Sequence, residues 1–113
     1  MYEVIPITKI LKEIKHYSKK DRSLLNTMRE IYLLLESGNF LGNEIGKDNN
    51  DNSIYKLRIP NLSSNKGKSG GYRIIYYVVT KERVIFPLTL YSKSDRENIS
   101  DKEIADIITK YIE

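Results

Sequence analysis

Gly71-Tyr72-Arg73-Ile74-Ile75-Tyr76-Tyr77-Val78-Val79-Thr80, closed by Lys81-Glu82 and followed by Arg83 to Tyr91, is the stretch on which the fold turns. Its first run is almost wholly aromatic and β-branched, the composition of a strand in the middle of a sheet. Lys81-Glu82 marks a tight turn, so Arg83–Tyr91 returns as the next strand, and Pro87, which lacks a ladder donor, argues for an edge or a bulge there. Upstream, Ile54 to Pro60 alternates Tyr55, Leu57 and Ile59 with Lys56 and Arg58, the period of a strand whose two cations point the same way. The connection Asn61 to Gly70 reads as a loop. Beyond the last strand, Ser100-Asp101-Lys102-Glu103 matches a capping box, and Ile104, Ile107, Ile108, Tyr111 and Ile112 form the stripe of a C-terminal helix.

The N-terminal half has the helical period. Thr8 as N-cap with Ile10, Leu11, Ile14 and Tyr17 predicts a first helix. Ser18-Lys19-Lys20-Asp21 reads as a capping box for a second, carried by Leu24, Leu25, Met28, Ile31, Tyr32 and Leu35 up to Gly38. Residues 38–53, with three glycines and a run of Asp and Asn, read as a connecting loop. Tyr2 to Ile5, ended by Pro6, is a short β-type run. The order β-α-α-β-β-β-α predicts an α+β fold: a small antiparallel β-sheet with an N-terminal helical hairpin and a C-terminal helix, helices on one face, as a single domain over 1–113.

The 113 residues contain no cysteine, which excludes disulfides, thiol nucleophiles and Cys-based metal sites. No apolar run is long enough for a membrane span, and a cytoplasmic protein without membrane contact is expected. The net charge of +4 is unevenly spread. Residues 52–81 carry Lys56, Arg58, Lys66, Lys68, Arg73 and Lys81 with no acid, whereas the flanking segments are near neutral or slightly acidic. A field of that sign attracts polyanions, of which nucleic acid is the commonest inside cells. A solvated lysine-rich loop would have the same charge.

Other chemistries are poorly served. Gly67-Lys68-Ser69 ends like a phosphate-binding loop, but the first glycine of that motif is replaced by Leu62 and a strand follows instead of a helix. His16 is the only histidine, so no two-histidine acid/base pair exists. Asp95, Glu97, Asp101 and Asp106 lack a His or Cys companion and read as capping or solvated acids, so neither a metal nor a cofactor is expected. The basic strands with Tyr91 and Lys93 remain. RNA cleavage through the 2′-hydroxyl needs a proton acceptor, charge stabilisation and help for the leaving 5′-oxygen, and a Lys/Arg cluster supplies all three. A lysine crowded by cations loses its proton more readily. Binding of a phosphate backbone without chemistry would use the same residues. Tyr72, Tyr76 and Tyr77 read as sheet packing.

Tyr55-Lys56-Leu57-Arg58, Gly67-Lys68-Ser69-Gly70-Gly71-Tyr72-Arg73 and Leu88-Thr89-Leu90-Tyr91-Ser92-Lys93 together resemble the RelE/HigB superfamily of type II toxins, most closely its HigB-like branch. The resemblance implies ribosome-dependent endonucleolytic cleavage of mRNA in the 30S A site, leaving a 2′,3′-cyclic phosphate and a 5′-hydroxyl. It places Lys56 and Arg58 on the family's first basic strand, in acid/base work and phosphate binding, and Arg73 at the transition state. Lys93 takes the basic position after the last strand, and Lys68 lies in the glycine-rich approach. Tyr91 is the candidate to stack on a base. Lys66, Lys68 and Lys81 are expected to assist RNA binding, although Lys81, with Arg83, also reads as a solvent-facing charge beside a turn. Residues 94–110 lack the tyrosine or histidine that some relatives place there. The implied partner is an antitoxin, HigA-like with a helix-turn-helix domain. The related ParE toxins share the fold and bind DNA gyrase, which leaves a non-nuclease toxin as the alternative.

Overall fold

The computed structural model describes residues 1–60 and 71–113. The expected loop Asn61 to Gly70, with Lys66 and Lys68, lies outside the described residues. The elements are β1 (Glu3–Val4), α1 (Thr8–Ser18), α2 (Leu24–Glu36), β2 (Asn43–Lys47), β3 (Ser53–Ile59), β4 (Tyr72–Val79), β5 (Val84–Ser92) and α3 (Asp101–Tyr111). The expected α+β class and element order hold, with one strand more. β2 forms inside the stretch expected to be a loop, because its backbone pairs with β3 although only Ile45 is a strong strand former.

The sheet order is β1-β5-β4-β3-β2. Its pairs are antiparallel except β1–β5, which is parallel, so the sheet is mixed. β4 lies at the centre, and the buried faces of Ile74, Ile75, Tyr76, Tyr77 and Val78 explain its unbroken apolar run. Pro87 marks a bulge and not an edge. Ile75 pairs with Thr89 and Tyr76 with Pro87, leaving Leu88 as the extra residue. The bulge resets the alternation of β5, so Tyr91 pairs with Arg73 while Phe86 pairs and stacks with Tyr77.

The helices occupy both faces, contrary to the one-face expectation. Tyr72 packs edge-on against Tyr17 of α1, and its hydroxyl donates to Asp21 at 2.9 Å, which puts the helical hairpin on the Tyr72 face. Arg73, Ile75 and Tyr77 point the other way, as do their β3 partners Arg58, Lys56 and Ile54. Ile54 shares a groove of about 630 Å³ with Ile104, Ala105 and Ile108, so α3 covers that second face. An amphipathic stripe tells a helix to pack on a sheet but not on which side.

Three capping expectations need amending. Ile7 takes the N-cap position of α1, and Thr8 is its first helical residue. Ser18 ends α1 and caps nothing; Asp21 instead accepts from the Ser23 amide and hydroxyl in the turn before α2. Ser100 does cap α3, accepting from the Glu103 amide at 3.1 Å, but the Glu103 carboxylate turns away to Arg96. Along the outer edge of β5, where the two-residue β1 gives out, α1 supplies acceptors. The Leu90 amide donates to Glu13 at 3.0 Å and the Ser92 amide to the Tyr17 hydroxyl at 3.1 Å. Among the described residues, no helix is long and apolar enough to cross a membrane.

Candidate functional site

Strand alternation and register together build the cationic face. Arg58 on β3 pairs with Arg73 on β4, which pairs with Tyr91 on β5, so the three form a row across the sheet. Lys56 lies two residues along β3 on the same face, opposite Ile75. The row begins where Gly71 enters β4 with φ +93, and a side chain there would overlap the carbonyl oxygen of Ile59. Only glycine lets the two strands close at this point. The Lys93 amide donates to the Gly71 carbonyl at 3.0 Å, so exposed Lys93 lies at the same end of the sheet.

The cations on this face are not neutralised. Among the described residues, Lys9, Lys47, Arg96 and Lys102 have carboxylate partners, while Lys56, Arg58, Arg73 and Lys93 have none. Arg73 is 9 % exposed and uses one amine to donate to the Tyr72 carbonyl at 3.2 Å. Burial, followed by the charges of Arg73 and Arg58, holds the Lys56 amine below the ordinary lysine pKa. Desolvation disfavours the ammonium form first, and the two like charges on the same surface add to it.

Two expected members are placed differently. Tyr91 is 4 % exposed, and the Arg96 guanidinium lies 5.6 Å from its ring centroid, so the ring offers no open face to a base. Its hydroxyl is buried without a hydrogen-bond partner among the described residues, and burial raises its pKa against the pull of Arg96 and Arg73. Lys81 lies in the β4–β5 turn, at the opposite end of β4 from Arg73 and roughly 25 Å away along an extended strand. It does not join the cluster. His16 is exposed on α1, edge-on to Tyr17.

The sequence did not point to Arg96, Asn98 and Glu103. Arg96 grips Glu103 with both amines, at 2.7 and 2.6 Å, and the Asn98 side chain accepts from Lys56 Nζ at 3.4 Å. Glu103 had an alternative partner in the Ser100 capping box, and nothing in the spacing of Arg96 and Asn98 marks them as neighbours of β3. Among the described residues, no group of three or more His, Asp or Glu could hold a metal ion.

The fold and this face define a small α+β domain with an unneutralised cationic surface, the charge a phosphodiester backbone requires. A family model described as the RelE toxin of the RelE / RelB toxin-antitoxin system matches residues 8–111, and the chain belongs to that family. It is thus a toxin of a toxin-antitoxin pair, and its family implies an antitoxin partner.

Proposed function

We propose that this toxin is a ribosome-dependent mRNA endonuclease that cuts mRNA in the A site of the 30S subunit, and that its antitoxin is a HigA-like helix-turn-helix protein. The observation that carries the reading is the acid-free cluster of Lys56, Arg58 and Arg73, in which Lys56 titrates below an ordinary lysine. In this scheme the neutral Lys56 amine takes the proton of the 2′-hydroxyl, whose oxygen attacks the adjacent phosphorus. Arg73 and Arg58 hold the non-bridging oxygens as negative charge grows on them. The bond to the 5′-oxygen breaks, and that oxygen leaves with a proton from an ammonium, for which Lys93 is the candidate. The products are a 2′,3′-cyclic phosphate and a 5′-hydroxyl.

The test is brief induction of the wild type and of Arg73→Ala in bacteria, with mRNA 5′ ends mapped with and without blocked translation. Translation-dependent cuts within reading frames, absent in the variant, are expected. Growth arrest without new 5′ ends would overturn the nuclease and favour a gyrase-binding toxin. A base works when deprotonated, so activity should rise with pH through the depressed pKa of Lys56. Arg58→Gln removes a like charge, raises that pKa and should displace the rising limb to higher pH. An unmoved limb in single-turnover cleavage would remove Lys56 from the role of base.

A further inference from the structure

We infer that Asn98 is a positioning residue for Lys56, held in place by the Arg96–Glu103 ion pair. The inference rests on the nuclease reading above. Arg96 is fixed by its two-point grip on Glu103, and its Nε donates to the Asn98 carbonyl oxygen at 3.0 Å. Glu103 sits in the first turn of α3, whose N-terminus Ser100 caps. This brace ties the strand-to-helix connection to α3 and presents the Asn98 carboxamide to Lys56 Nζ.

A lysine on four rotatable bonds is a poor base unless its lone pair is held toward the hydroxyl it must deprotonate. Donation of one N–H to a fixed oxygen removes much of that freedom and leaves the lone pair free. Among the described residues, the charges that act on Lys56 are Arg58 on its own strand and Arg73 on β4; Asn43, opposite it on β2, is uncharged, and the Arg96–Glu103 pair lies behind Asn98. An amide is the suitable oxygen here. A carboxylate at position 98 would favour the ammonium form and silence the base at neutral pH, whereas a carboxamide orients the amine with far less effect on its titration.

The experiment uses the full chain in single-turnover cleavage of mRNA on programmed ribosomes across pH, together with an NMR titration of the Lys56 side chain in the free protein. Asn98→Ala is expected to lower the cleavage rate constant about tenfold with KM for the programmed ribosome unchanged. Asn98→Asp should recover most of the rate on the alkaline side, with both the rising limb and the Lys56 titration displaced to higher pH. Glu103→Gln, which loosens the grip on Arg96, should act as Asn98→Ala does but more weakly. Equal losses in the alanine and aspartate variants at every pH, or a Lys56 titration that ignores Asn98→Asp, would overturn the inference. A wild type that cuts nothing, in a protein whose Lys56 titration still follows residue 98, would sink the nuclease reading and leave the placement of Asn98 on Lys56 standing.

Discussion

Arg73→Lys is expected to lower the single-turnover cleavage rate by about two to three orders of magnitude, the cost of losing one aligned donor at an oxyanion. Arg73 stands in the middle of the row, between Arg58 and Tyr91, on the central strand. Only one of its amines donates within the described chain, which leaves most of the planar fork for two phosphate oxygens. Lysine would keep the positive charge but replace the fork by a point donor on a flexible stem. Arg73→Ala removes the charge as well and should be at least as slow. Thermal unfolding of Arg73→Lys should stay within a few degrees of wild type, since lysine keeps the buried stem and Arg73 makes no ion pair within the described chain, whereas Arg73→Ala also loses packing at a buried position. A lysine variant cutting at the wild-type rate would reduce Arg73 to a generic contribution to the local field.

The largest effect on stability is expected at Tyr76. It is 0 % exposed, stacks on Tyr55 with ring centroids 5.2 Å apart, and its hydroxyl donates to the Leu41 carbonyl, joining β4 to the approach to β2. Tyr76→Ala removes a whole ring from the centre of the sheet and should cost about 3–5 kcal/mol. For a domain of this size that lowers Tm by roughly 10–25 °C. Tyr76→Phe keeps the ring and loses only the hydrogen bond, which should cost about 1 kcal/mol and some steric readjustment near Leu41. Differential scanning calorimetry separates the two. Equal losses would mean that the hydroxyl and not the packing holds this part of the core.

The strands that carry the cationic cluster are legible because alternation along β3 and the apolar density of β4 are properties of single segments. Lys56 and Arg58 share a face by period alone, and Arg73 follows from the register. β2 was not legible: a five-residue strand with Gly46 and one isoleucine acquires its conformation from β3, not from its own sequence. The parallel seat of β1 and the placement of α3 opposite the hairpin are packing decisions that amphipathic stripes do not encode. Charge counted along the chain groups Lys81 with the cluster because it ignores the length of a strand. The sequence presents Tyr91 as an open ring because its cover, Arg96, is set by an ion pair across the start of α3.

The parallel pairing of Glu3 with Val84 joins nearly the first residues of the chain to its last strand. Few arrangements of so short a protein give contacts of greater sequence separation, and loop closure of that span must precede the stabilisation it brings. During synthesis β4 can acquire neither its β5 neighbour nor the Tyr91 end of the cationic row until residues 84–92 have been made. A nascent copy therefore lacks the assembled face until β5 has emerged, and the time between that point and capture by an antitoxin becomes the interval in which a folded molecule can act.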